Sequence, residues 1–123
     1  MPLTSATLPL LSEVERGTLS RYVELLRERL GPRLLAVRVF GSVARNESWP
    51  PGMPIRSDLD LLVLVRRELA EAERERLVDA TLPLFLESGR QISPQFRTPA
   101  QHAASPSRTS IDADAVQIWP EGA

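Results

Sequence analysis

After Asp60, residues 61–65 are apolar without interruption, and no other stretch limits the fold as strongly. A strand with one wet face alternates apolar and polar residues, whereas an unbroken apolar run suits a central strand covered on both sides. The chain must therefore supply packing layers for two faces of one sheet. A second run rich in apolar and β-branched residues, LLAVRVF at 34–40, reads as a neighbouring strand and stops at Gly41-Ser42.

The covering helices are legible on either side. Ser12 with Glu15 three residues later is a capping-box pattern, and Val14, Leu19, Val23, Leu26 and Leu30 recur at helical spacing as a buried stripe. Gly31-Pro32 supplies the stop. Residues 43–48 suit a first helical turn, and the proline-rich 49–54 reads as a surface loop. Residues 68–88 form a second helical stretch with Leu69, Ala72, Leu77, Ala80 and Leu84 on its buried side. Pro83 should kink or split it near Leu82, and its Glu and Arg residues read as a solvated, salt-bridged face. Residues 91–98 are a third strand, which Pro94 assigns to an edge. Thr98-Pro99-x-Gln101 resembles another helix start, and residues 115–119 suit a short closing strand. The order fits an α/β (α+β) fold, a small mixed sheet of three or four strands with helices packed on it. Residues 1–123 are read as one domain, with 1–11 an N-terminal extension and 99–123 a C-terminal helix and strand extension.

Composition removes several classes of function. With 15 basic residues, all arginine, against 16 acidic ones, the net charge of −1 gives no field that would draw the whole molecule to nucleic acid or to a membrane. The absence of cysteine excludes disulfides and thiolate metal sites and makes the cytoplasm the expected location. No apolar run is long enough to span a bilayer.

The chemistry sits where the two main strands approach each other. Gly41 permits a sharp turn and close approach of a ligand to the backbone, and Ser42 adds a hydroxyl and amides suited to an anion. Asp58 and Asp60, two apart at the start of a strand, point to one side. Two like charges so placed become favourable around a divalent cation, and Mg²⁺ prefers such oxygen ligands while keeping positions open for phosphate. An anion-binding turn followed sixteen positions later by a cation-binding pair describes a metal–triphosphate site. Arg45 is within reach of a phosphate. His102, the one histidine, reads as a surface residue. Trp49 could stack on a base or pack a partner, and Trp119 reads as core or edge.

GSVARNES followed by SDLDLLVLV resembles the signature of the DNA polymerase β-type nucleotidyltransferase superfamily in its minimal form. Gly41, Ser42, Ala44, Arg45, Ser57, Asp58, Leu59 and Asp60 carry the resemblance, which covers roughly residues 12–98. It implies the nucleotidyltransferase fold, with Gly41, Ser42, Arg45 and Ser57 on the nucleotide and Asp58 and Asp60 as catalytic residues holding Mg²⁺. It also implies transfer of a nucleotidyl (AMP) group from ATP or another NTP to a hydroxyl, with a HEPN-type helical protein as partner; whether the chain self-associates is left open. Active members carry a third carboxylate on the third strand, where this chain offers Ser93 or Gln95. Asp112 or Asp114 would substitute if the C-terminal segment folds back over the site. The alternative is a degenerate, antitoxin-like module that binds nucleotide or a partner without turnover.

Overall fold

The computed structural model describes residues 11–41 and 58–120. Helix α1 (Glu13–Leu30) opens on the capping box read from the sequence: the Glu15 N–H donates to Ser12 Oγ at 3.1 Å, and the Ser12 N–H to Glu15 Oε1 at 2.9 Å. Leu19, Tyr22, Val23, Leu26 and Leu30 are buried along it. Val14, expected in that stripe, is 56% exposed because it falls outside the arc set by Thr18, Tyr22 and Leu26. A short 3₁₀ turn, Gly31–Arg33, leads into strand β1 (Leu34–Phe40), and β2 follows at Leu59–Val65.

Helices α2 (Glu71–Asp79) and α3 (Thr81–Ser88) replace the single stretch expected over 68–88. The break falls at Ala80, ahead of Leu82, because Pro83 can neither donate to the carbonyl four residues back, that of Asp79, nor tolerate it sterically. Pro83 instead occupies the first turn of α3, where its missing N–H has no intrahelical partner to lose. The break also changes the buried face: Leu77 is buried and Leu69, Ala80 and Leu84 pack against the core, but Ala72 is exposed. The polar face behaves as expected, with Arg33 holding Glu73 at 2.7 Å and Arg74 paired with Glu71.

Strand β3 (Ile92–Arg97), helices α4 (Pro99–Ala104) and α5 (Arg108–Asp114) and strand β4 (Val116–Trp119) complete the described fold. Thr98 caps α4 as its sequence suggested, whereas α5 lies in a segment without a readable pattern. The sheet order is β3-β2-β1-β4, with β2 parallel to β3 and β1 antiparallel to both β2 and β4. The α2–α3 crossover is what makes the parallel β2–β3 pair possible.

The apolar run of β2 does what it required. Leu59, Leu61, Val63 and Val65 pack in the main core with residues of α1 and Leu77. Leu62 and Leu64 face the other side, in a smaller cluster with Ala36 and Ile111 of α5. No helix of the described residues is long and apolar enough to cross a membrane.

One buried ion pair ties the start of α1 to the entry of β3. Arg90 Nη1 donates to Glu15 Oε2 at 2.7 Å, with both side chains less than a tenth exposed (7% and 5%). Burial pushes the Glu15 carboxyl up, but bonds from the Ser12 backbone and Arg90 outweigh it and hold the carboxyl below its ordinary value. Glu15→Gln takes the carboxylate from the buried Arg90 guanidinium and should lower stability by about 3 kcal/mol in urea denaturation at pH 7. Because the folded carboxyl is depressed, its contribution is present above the unfolded value of about 4.3 and is lost as pH falls through the folded one. The wild-type and Glu15→Gln stabilities should therefore converge below that window, and a difference unchanged from pH 7 to pH 3 would refute the assignment.

Candidate nucleotide and metal site

The antiparallel pairing of β1 and β2 brings the end of one to the start of the other. Phe40 stands opposite Asp60, and the following Gly41 turns the chain with a φ of +83°. A Cβ built on Gly41 would lie 2.6 Å from Asp60 Oδ2. The glycine is therefore required twice: its backbone is in the left-handed region, and its missing side chain leaves room for the carboxylate. Turn and carboxylate, separated by 18 residues of sequence, are in direct proximity.

Asp60 is partly buried and belongs to the sheet face that carries Leu62 and Leu64, the face covered by α5. Asp58, just ahead of β2, is exposed, and strand alternation gives it the same side. Ser42, Arg45, Ser57 and Trp49 lie outside the described residues.

The neighbouring strand decides the third position. In the parallel β2–β3 register Ser93 stands beside Asp60, while Gln95 stands beside Leu62. Gln95 is further occupied, its Oε1 accepting from Arg97 Nη2 at 2.8 Å. A neutral hydroxyl thus occupies the place next to Asp60. The C-terminal segment does fold over this face, yet Asp112 is engaged there by His102 and by Arg108, at 2.8 and 3.4 Å. The hydrogen bond from His102 is the main cause of its lowered pKa. Asp114 is half-buried at the end of α5. Among the described residues no three His, Asp or Glu side chains are grouped to hold a metal ion, so neither aspartate completes a triad with the pair on β2.

His102 corrects the sequence reading. It is only 6% exposed, not a surface residue. Arg97 Nη1 donates to its Nδ1 at 3.2 Å, which leaves Nε2 to carry the hydrogen toward Asp112 Oδ1. Both ring nitrogens are committed to fastening α4, α5 and β3 together. Partners five and ten residues away, across a turn, leave no periodic signal in the sequence.

Gly41→Ala follows as a local test. The added methyl must displace the Asp60 carboxylate and strain the turn, so the Mg²⁺-dependent ATP affinity expected from the motif should fall about tenfold, as for a disturbed metal-ligand environment. Calorimetric titration reads this directly; unchanged affinity would mean that the Gly41–Asp60 contact plays no part in binding.

Comparison with known proteins agrees with this fold. The sequence profile of the nucleotidyltransferase domain family matches residues 19–117, from within α1 to the middle of β4. No curated protein matches the chain. Among solved structures, a chain of a mutant MntA–HpeT toxin–antitoxin complex is similar, with a TM-score of 0.55 and 18% identity over 82% of this chain and 71% of that one. A chain from the complex of tri-AMPylated Shewanella oneidensis HEPN toxin with MNT antitoxin gives 0.52 and 17%, over 83% and 69%. A protein assigned as a minimal nucleotidyltransferase gives 0.50 and 26%, over 82% and 89%. These neighbours share the mixed sheet and its helices, and the profile spans both strands that meet at Gly41 and Asp60; the chain belongs to the nucleotidyltransferase domain family.

Proposed function

We propose that this chain binds a Mg²⁺–nucleoside triphosphate and transfers the nucleotidyl group, AMP when ATP is bound, to a hydroxyl of a partner protein. The observation that carries this reading is the backbone of Gly41 lying against the Asp60 carboxylate, with Asp58 two residues before it. The donor set fits the metal: two hard carboxylate oxygens, beside a glycine whose Cβ would crowd one of them. Mg²⁺ characteristically takes one or two carboxylates and completes its shell with phosphate and water. Asp58 and Asp60 would hold it, and it would supply charge neutralisation and a template for the phosphates.

The remaining work falls to the chain itself. The Gly41 turn orients the β- and γ-phosphates, and Ser42, Arg45 and Ser57 are assigned to the nucleotide through the motif they form. The acceptor oxygen bonds to the α-phosphorus, the bond to the bridging oxygen breaks, and pyrophosphate leaves. With Ser93 beside Asp60, β3 offers no carboxylate to take the hydroxyl proton, which passes to solvent, so transfer is slow. In this reading residues 1–123 act as one domain in the cytoplasm. A HEPN-type helical protein is the acceptor, as the AMPylated toxin in a structural neighbour suggests.

Ser93 also favours a second reading, a degenerate module that binds nucleotide and partner without turnover. Incubation with α-labelled ATP and Mg²⁺, with and without a HEPN-type protein encoded beside this chain, separates the two. Label on the partner that disappears with a chelator supports transfer. Chelator-sensitive nucleotide binding without label supports the module, and absence of nucleotide binding overturns both.

A further inference from the structure

The two edges of the sheet are not equivalent. At β3 the Gln91 carbonyl accepts from the Leu59 N–H at 2.8 Å, so by alternation Ser93, Gln95 and Arg97 bond toward β2 while Ile92, Pro94 and Phe96 turn outward. Pro94 has no N–H, and this edge is blunted against strand addition. At the other edge β4 pairs with β1 on one side, and among the described residues no strand covers its other side.

Beside that open edge, between β4 and the C-terminal half of α1, lies a pocket of about 380 Å³ lined by Glu24, Arg27, Glu28, Gly31 and Trp119. The Arg27 guanidinium sits 5.7 Å from the Trp119 ring centroid while bonding Glu24 at 2.7 Å. The α1 side of the ring is thus held by Arg27. Glu28 has no hydrogen-bond or ion-pair partner among the described residues, which leaves the pocket with one carboxylate more than its cation neutralises.

We propose that the β4 edge and this pocket bind an extended basic segment of a partner protein. The segment adds as a fifth strand along Val116–Trp119 and places one arginine or lysine side chain in the pocket against Glu28. Strand addition supplies backbone hydrogen bonds of general affinity, and the pocket selects the cationic side chain. The site is separate from the nucleotide site: α1 packs on the sheet face opposite the one that carries Asp60. The proposal does not depend on nucleotidyl transfer.

The probes are blocked seven-residue peptides of alternating threonine and valine with a central arginine or a central glutamate, titrated into the full chain. Backbone amide shifts are followed by NMR. The arginine peptide should shift Val116–Trp119 and bind about fivefold more tightly than the glutamate peptide, from an exposed ion pair gained by one and like-charge repulsion met by the other. The double variant Glu24→Gln with Glu28→Gln, both at exposed positions, should bring the two peptides to within about twofold at an unchanged melting temperature. Asp60→Asn should leave the preference intact. Equal binding of the two peptides, shifts that avoid β4, no binding at millimolar peptide, or a preference surviving the double variant would each overturn the proposal.

Discussion

Asp60→Asn is expected to lower the proposed nucleotidyl transfer by at least about 10³-fold, because it would remove a ligand from the proposed metal, which supplies several kcal/mol of transition-state stabilisation in such reactions. The substitution is nearly isosteric. Asp60 sits at the start of a strand whose remaining residues are buried on both faces, and asparagine keeps that packing and its room beside Gly41. The melting temperature of the nucleotide-free protein should therefore stay close to wild type, while Mg²⁺-dependent ATP binding weakens together with transfer. Asp58→Asn, at an exposed position, should act in the same direction with no structural cost. Label transfer and calorimetric titration measured on the same preparations give both readouts. Transfer retained within tenfold of wild type in Asp60→Asn would remove the aspartate pair from the metal site.

How much of this could be read beforehand depended on the distance over which each signal acts. The capping boxes at Ser12 and Thr98, the strand at 34–40 and the edge placement of Pro94 are local or nearly so, and all appear as expected. The meeting of Gly41 with Asp60 was also legible, because antiparallel pairing of two apolar runs leaves few ways to arrange their ends. Features set by tertiary packing were not. Val14 and Ala72 obey helical spacing yet face solvent, since spacing fixes an arc but not where the arc points. The burial of His102 depends on α5, a helix without a periodic pattern, folding back onto β3. The Glu15–Arg90 pair spans 75 residues and has no sequence signature. Ser93 and Gln95 could not be separated by alternation, because both occupy the same face; only the register of β3 against β2 assigns Ser93 to Asp60.

That register leads to the opposite experiment, a gain of activity. Ser93→Asp should raise the transfer rate by about 10²–10⁴-fold, the range a positioned general base contributes. Neighbouring strands lie about 4.8 Å apart, and residues in register on a parallel pair share a face, so a carboxylate at 93 stands beside that of Asp60. Ser93 is half-buried at an edge strand, and aspartate adds little bulk there. Without metal the new charge meets two of its own sign, which should raise the carboxyl pKa values and lower stability by about 1 kcal/mol. Mg²⁺ should restore that loss, so the variant's melting temperature becomes metal-dependent to a degree the wild type's is not. Gln95→Asp is the matched control. It adds the same charge to the same strand and face, but beside Leu62, two residues farther along from Asp60, and should leave transfer unchanged. Single-turnover rates with labelled ATP distinguish the two variants. Acceleration by Gln95→Asp and not by Ser93→Asp would place the missing carboxylate at 95, and acceleration by neither would mean that proton removal does not limit the proposed transfer.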